Sequence, residues 1–115
     1  MNYNYGDWIK GCPAAVTICD ENKIIVEMND AAAEMFQKDG GRDLISSNIQ
    51  DCHPQKAQEI ISKMYEDHQP YIYSITKNGR KKMVYQTPWF RDGKFGGILE
   101  ILFETPSEVP HFDRD

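Results

Sequence analysis

The chain has 115 residues, of which 40% are hydrophobic and 27% charged, and its formal net charge is −5. This length, without an internal repeat, predicts one domain with one core. The acidic balance argues against nucleic acid or an anionic membrane as partner, and the chain contains no apolar run of the roughly 18 residues that a membrane span needs.

Residues 1–12 form the first predicted element, an N-terminal cap. Apolar side chains recur at helical spacing there, at Tyr5, Trp8, Ile9 and Cys12. Because Trp and Ile are costly to leave in water, we expect this helix to pack on the domain or on a second copy. A frayed leader is the alternative.

Residues 14–20 and 23–28 are predicted as two strands joined by a tight polar turn. Asn29 or Asp30 then caps a helix, because a short polar side chain accepts hydrogen bonds from the free N–H groups of the first turn. This helix is expected to end at the glycine pair 40–41. Its apolar face carries Ala32, Met35 and Phe36.

Residues 42–51 predict a short, irregular helical stretch. The sequence Cys52-His53-Pro54 then begins the longest helix, and Pro54 suits its first helical position because a missing N–H costs nothing there. The helix carries one apolar stripe and is expected to end before Pro70.

Residues 71–76, 82–90 and 95–104 are predicted as three strands, joined as successive hairpins by two Gly-containing turns. Pro88 cannot donate to a ladder, so we expect a bulge or fraying near it. Residues 106–115 contain two prolines and are predicted to be non-helical.

The order of predicted elements is β-β-α-α-α-β-β-β, which predicts an α+β fold with one antiparallel sheet and helices on one face. The last strand is apolar on both faces, with Leu99, Ile101 and Phe103 on one face, Ile98 and Leu102 on the other, and only Glu100 polar among them. Both faces therefore need cover. Helices can cover one, and the N-terminal cap, a second subunit, or both are expected to cover the other.

This order resembles the PAS family of sensory domains over about residues 9–104. The resemblance rests on PAAVTICDENKIIVEMNDAAAEMF, on GRDLISSNIQDCHP and on the two closing hairpins, while CHP, YQTPW and EVPHF are similar to small single-domain bacterial PAS proteins. It implies a PAS domain at 13–105, followed by the tail 106–115, with a five-stranded antiparallel sheet and a pocket between sheet and helices. It also implies a ligand sensor or dimerisation module that is not an enzyme.

Strand alternation, placed in the register of that family, predicts which side chains bind a ligand. They are Thr17, Cys19, Phe36, Ile49, Ile72, Ser74, Met83, Tyr85, Thr87, Leu99 and Ile101, with Cys52 and His53 at the mouth of the long helix. This lining is apolar with scattered hydroxyls and a thiol, so a neutral ligand of modest size is expected. The alternative is an interaction module whose closed core is filled by Phe36, Tyr85 and Phe103.

The resemblance implies two coloured cofactors as options. Flavin photosensors of the light-oxygen-voltage type need a cysteine in an NCRFLQ motif, where this chain has Asn48-Ile49, so covalent flavin chemistry is not expected. Non-covalent flavin is less firmly excluded, but it is not expected either, because the sequence shows no amide side chains placed to bind the edge of the flavin ring. Haem PAS sensors use a histidine of the long helix as axial ligand. His53 is the candidate, with Met64 and Cys52 as weaker ones, and a haem sensor stays a minor alternative.

Two other site types have little support. A nucleophile set of Cys52, His53 and Glu59 is disfavoured because adjacent residues do not face each other on a helix. The chain also contains no phosphate loop, HExxH or GxSxG motif. A metal site of Cys52, His53 and His111 matches no standard spacing. We therefore expect neither an enzyme nor a metal site.

Location and partners follow from the ends of the chain and its cysteines. Three cysteines without CxxC spacing argue against a disulfide framework, and the N-terminus lacks the features of a secretion signal, so we expect a cytoplasmic protein. Pro106 and Pro110 interrupt any coiled coil after the domain. Output is therefore expected through a separate partner protein or a homodimer formed by the outer sheet face and the N-terminal cap.

Overall fold

A computed structural model describes residues 5–115, with the side chains of Tyr5 and Cys52 left aside. Three α-helices lie at Tyr5–Gly11 (α1), Asp30–Met35 (α2) and Gln55–Asp67 (α3). Five strands lie at Ala15–Cys19 (β1), Ile25–Met28 (β2), Tyr71–Lys77 (β3), Arg80–Arg91 (β4) and Lys94–Glu104 (β5). They form one antiparallel sheet in the order β2-β1-β5-β4-β3, which confirms the predicted α+β fold.

The two closing hairpins have the predicted turns. Asn78 and Gly79 join β3 to β4 with φ values of 54° and 73°, and Asp92 and Gly93 join β4 to β5 with 51° and 79°. Positive φ at both central residues is the type I′ geometry, whose twist matches that of the flanking strands. Asn-Gly and Asp-Gly suit it because glycine and, to a lesser degree, Asn and Asp tolerate this conformation.

The disturbance predicted near Pro88 is present as a register shift between Trp89 and Phe90 in the β4–β5 ladder. β3 pairs with β4 only as far as Tyr71 opposite Gln86. Pro88 therefore lies where β4 has β5 on one side and no β3 partner on the other, and its missing N–H interrupts no ladder.

The two outer strands of the sheet differ. The start of the free side of β2 is covered by the segment 46–49, because Ser46 N–H donates to the Ile25 carbonyl at 2.7 Å and Ile25 N–H donates to the Ser47 carbonyl at 2.9 Å. Ile49 N–H adds a bond of 2.8 Å to the Lys23 carbonyl. Within residues 5–115, β3 pairs with β4 alone.

Asn29 joins three elements and confirms the predicted helix cap. Its Oδ1 accepts from the N–H groups of Ala32, in α2, and of Val16, in β1, at 3.0 and 2.9 Å. Its Nδ2 donates to the carbonyls of Ile9, Cys12 and Ala14 at 3.0, 3.3 and 2.8 Å. This one buried side chain therefore bonds the end of α1 to the sheet and to the start of α2.

Several element boundaries differ from the prediction. α2 ends at Met35, and 3-10 turns at Gln37–Asp39 and Gly41–Leu44 follow it in place of one helix that reaches the glycines. A further 3-10 turn covers Ile49–Cys52, and Pro54 occupies the N-cap of α3, one position before the predicted one. With 13 residues α3 is the longest helix, and none of the helices in the described part of the chain could cross a membrane.

Candidate functional site

A cavity of about 360 Å³ lies between the sheet and the helical segments. Its floor is formed by strand residues Thr17, Cys19, Ile25, Met28, Gln86, Ile98 and Glu100. Its walls are formed by Phe36, Asp39, Leu44, Ile49, His53, Ile61 and Met64. Pockets for small molecules hold roughly 300–1,000 Å³, so this one has the size for a compact organic ligand.

Five of the side chains predicted from the sequence line the cavity, namely Thr17, Cys19, Phe36, Ile49 and His53. They come from β1, from the end of α2 and from the segment before α3. The side chain of Cys52, also predicted, lies outside the described part of the structure.

The other seven predicted residues lie on the opposite face of the sheet. They are Ile72, Ser74, Met83, Tyr85, Thr87, Leu99 and Ile101. Gln86 and Glu100 line the cavity, and successive side chains of a strand point to opposite faces, so their immediate neighbours point away. Ile72 and Ser74 are the cross-strand partners of Tyr85 and Met83 and share their face. The prediction, made from strand alternation in the register of the family, therefore took the wrong alternate set of residues in β3, β4 and β5.

A polar row in the cavity floor crosses three adjacent strands. Thr17 of β1 and Gln86 of β4 are both paired with Glu100 of the intervening β5. The Gln86 Nε2 donates to Glu100 Oε2 at 2.8 Å. Sequence reasoning missed both residues, although Glu100 stood out as the only polar residue in an apolar stretch.

Thr17 is buried in this row without a partner. The residue is 8% exposed, and its hydroxyl forms no hydrogen bond with any described residue. Among the described side chains, the polar atom that is both fully enclosed and unpaired is Gln50 Oε1, so the Thr17 oxygen borders open space. Thr17 therefore presents a free polar atom to the cavity.

The Cys19 thiol lines the cavity and is 1% exposed. Burial raises its pKa to about 12, and the negative charges of Glu100 and Asp20 add to the effect. The thiol is therefore protonated at neutral pH, and it lacks the thiolate character that a nucleophile or a metal ligand needs.

His53 lies between the 3-10 turn Ile49–Cys52 and α3, in an extended conformation. Its Nδ1 is 2.6 Å from the Ile49 carbonyl oxygen. A carbonyl oxygen can only accept, so Nδ1 carries the proton and donates it. In the neutral ring this leaves Nε2 with a free lone pair.

A haem would use that Nε2 as its axial ligand, and a carbonyl partner at the other ring nitrogen is common for ligating histidines. The remaining lining does not fit this group. The cavity is close to the lower bound for small-molecule pockets, and among the described lining residues Glu100 and Asp39 are acidic while none is Lys or Arg to pair with two propionates. The described residues also contain no group of three or more His, Cys, Asp or Glu that could hold a metal ion.

Tyr65 of α3 fixes the helix above the floor. Its hydroxyl donates to the Asp20 carbonyl at 2.6 Å, in the turn between β1 and β2. Burial raises the pKa of this phenol, and the nearby Cys19 and Asp20 raise it further. The phenol stays protonated and keeps donating, so the distance between α3 and β1 is held.

The outer face of the sheet carries large apolar side chains that water reaches. Ile72 is 59% exposed and Phe103 is 43% exposed. Large apolar residues exposed on one sheet face are typical of interaction surfaces.

Comparison with known proteins identifies the fold. A family model described as a PAS domain matches residues 9–67. The C-terminal domain of a protein from Streptococcus mutans superposes with a TM-score of 0.68 at 20% identity, covering 84% of this chain and 78% of that one. The PAS domain of BvgS from Bordetella pertussis superposes with a TM-score of 0.63 at 18% identity, covering 86% and 82%.

The Aer2 receptor from Vibrio cholerae, described as a dual PAS-haem oxygen sensor, superposes with a TM-score of 0.62. The two are 17% identical, and the superposition covers 81% of this chain and 95% of that one. At such identities the likeness concerns the fold alone. No curated protein matches the sequence.

Proposed function

The chain belongs to the PAS domain family, and from this premise we propose that it is a sensory domain that binds a small organic ligand in the cavity between sheet and helices. The observation that carries the proposal is the cavity of about 360 Å³ with the unpaired Thr17 hydroxyl facing it from the floor. A core closed by its own side chains would leave neither the volume nor the free polar atom. Neither catalysis nor a haem is part of this proposal, and we place the domain in the cytoplasm.

The lining suits a ligand with an apolar body and a small polar group. Ile25, Met28, Ile61, Met64 and Ile98 supply the apolar surface. Polar atoms are confined to one row of the floor and to the wall residues His53 and Asp39. Such a division gives affinity through apolar burial and orientation through a few hydrogen bonds.

Native mass spectrometry of the purified protein, together with thermal unfolding across a metabolite library, tests the proposal. We expect either a co-purified mass or a rise in Tm with at least one compound, because a ligand that binds only the folded state stabilises it. A protein that carries no bound mass and whose Tm no compound raises would overturn it.

A cavity-filling variant makes this test specific. Ile49→Phe adds volume inside the cavity and should abolish the ligand-dependent rise in Tm. Val26→Phe, at an exposed position that does not line the cavity, is the matched control and should keep that rise. Equal behaviour of the two variants would place the ligand elsewhere.

A second candidate function is protein contact through a homodimer, which the exposed Ile72 and Phe103 of the outer face favour. We propose that this face and α1 form the dimer surface. Sedimentation of Ile72→Glu should show a monomer if so, because a charge placed in an apolar interface is not compensated there. Val109→Glu, in the exposed tail, is the control. A wild-type protein that sediments as a monomer at all concentrations would refute this candidate.

A further inference from the structure

We propose that the cavity selects a small organic cation, a ligand whose protonated amine or amidine binds the row of Thr17, Glu100 and Gln86 while its apolar body fills the remaining volume. This inference rests on the proposed ligand-binding function and adds the chemical class of the ligand.

The charge of the lining is the first argument. Glu100 lies in the floor and Asp39, an exposed residue, lies at the rim. None of the described lining residues is Lys or Arg, so a carboxylate or phosphate ligand would meet two like charges and no opposite one. Like-charge juxtaposition disfavours anions here, whereas a cation meets a complementary potential.

Glu100 itself lacks a cationic partner. The ion pairs within residues 5–115 join Asp30 to Lys10 and Arg42, and Glu104 to Arg80. Glu100 is only partly exposed, so a ligand in the cavity could reach it without full competition from water. A cationic ligand would supply the charge that the protein does not.

The free hydrogen-bonding atoms of the row match an ammonium group. Glu100 accepts from Gln86 through Oε2, which leaves its Oε1 and the Gln86 carboxamide oxygen without a partner among the described residues, next to the unpaired Thr17 hydroxyl. Neighbouring strands are about 4.8 Å apart, so these acceptors lie side by side. An ammonium offers three donors and no acceptor, and an amidinium also offers only donors.

The test uses three probes with the same apolar body: phenethylamine, 2-phenylethanol and phenylacetate. We expect calorimetry on the wild-type protein to show binding of phenethylamine, weaker binding of the alcohol and no binding of the acid. Tighter binding of the alcohol or of phenylacetate would overturn the cation inference and leave the ligand-sensor function standing.

Two variants assign the effect to the row. Glu100→Gln removes the charge and keeps an acceptor for Gln86, so it should weaken phenethylamine binding by roughly 10- to 100-fold and change 2-phenylethanol binding little. Thr17→Val keeps nearly the shape of the wild-type side chain and should weaken phenethylamine binding by a smaller factor. Glu104→Gln makes the same charge change on the same strand at a residue that does not line the cavity, and it should bind the amine like wild type.

The outcomes separate the two proposals. If Glu100→Gln folds with an unchanged circular dichroism spectrum and binds phenethylamine like wild type, the inference fails. If none of the probes binds, the charge of any co-purified molecule tests the inference. A cation supports it, and a neutral or anionic molecule overturns it. If no probe binds and no mass is present, the inference fails, and the metabolite screen then decides the ligand-sensor function by itself.

Discussion

Two buried polar sites of this domain have opposite designs. At the junction of α1, β1 and α2, Asn29 is 2% exposed and every polar atom of its side chain is bonded to backbone. In the floor of the cavity, Thr17 is 8% exposed and its hydroxyl is bonded to no described residue. Similar burial thus accompanies complete pairing in one place and none in the other.

The difference separates residues that serve folding from residues that serve binding. A buried polar group that is fully hydrogen-bonded fixes one arrangement of the chain. A polar group that faces a cavity without a protein partner is free to bond to a ligand there. Substitution of Asn29 should therefore affect mainly stability, and substitution of the floor residues mainly binding.

The largest effect is expected for Asn29→Ala. It removes two acceptor and three donor contacts and leaves buried N–H and C=O groups unpaired, so we expect the free energy of unfolding to fall by about 3–5 kcal/mol. Urea denaturation measures this. Asn48, which also caps a short helix but accepts from the Gln50 N–H alone, is the control, and Asn48→Ala should lose about 1 kcal/mol. Equal losses of unfolding free energy in the two variants would contradict the larger structural role that we assign to Asn29.

The second effect concerns pH and tests the burial of the cavity floor. The pKa of Cys19 is raised in the folded state to about 12 from 9.0, so its contribution to stability is fully present below pH 9 and is lost as the pH rises towards 12. Three pKa units correspond to at most about 4 kcal/mol. The pKa values of Tyr65 and Tyr73 are also raised by burial and add a loss in the same direction.

Cys19→Ala provides the measurement for that pH effect. Its urea midpoint should fall less steeply between pH 9 and 12 than that of wild type, with the tyrosines accounting for the rest of the slope. Identical slopes would show that the Cys19 thiol is open to water, which would contradict the enclosed floor.

A third, intermediate effect is expected for Phe36→Ala. Phe36 is partly buried and lines the cavity, so its truncation should reduce the free energy of unfolding by about 2 kcal/mol, less than for a fully buried phenylalanine. It should also weaken the binding of a native ligand, because the ligand loses its contacts with one wall of the cavity. If the variant instead creates binding where wild type has none, the native cavity is closed and the interaction module is favoured. Phe112→Ala, in the exposed tail, should change neither quantity.

The smallest effect is expected for Thr17→Val in the absence of ligand. The substitution keeps the shape and removes a hydroxyl that has no partner, so the free energy of unfolding should stay within about 1 kcal/mol of wild type or rise. Urea denaturation without ligand shows the result. A loss as large as that of Asn29→Ala would mean that the hydroxyl is satisfied and that the two sites do not differ.

The sequence predicted those parts of the fold that local chemistry decides. Asn78-Gly79 and Asp92-Gly93 favour positive φ at both residues. This local preference was enough to locate the turns of both hairpins. Asn29 likewise located the helix cap, whereas the bulge lies next to Pro88 but has its extra residue, Gly96, in β5. The turns and the cap each depend on one or two residues and their own backbone, so no knowledge of the tertiary structure was needed.

The candidate site was only partly predictable, because it depends on which face of each strand is turned towards the helices. Thr17, Cys19 and Phe36 were placed on the cavity side by the register of the family, although β1 is apolar on both faces, with Val16 and Ile18 on the other one. In β4 and β5 both faces carry apolar residues, so alternation alone does not choose between them, and the register taken from the family selected Tyr85 and Leu99 in place of Gln86 and Glu100. A shift of one residue reverses every side chain of a strand, so a single wrong choice displaced the whole set.

The unequal outer strands of the sheet limit how copies of this domain can join by their backbones. On the β2 side the segment 46–49 bonds to Ile25 and to the preceding Lys23, while the β3 side pairs with β4 alone within the described chain. Strand addition between copies therefore has a fully open edge at β3 and a partly occupied edge at β2. Two copies joined through β3 would consume both open edges in one symmetric contact, so growth by this route closes at a pair and cannot continue into a fibre.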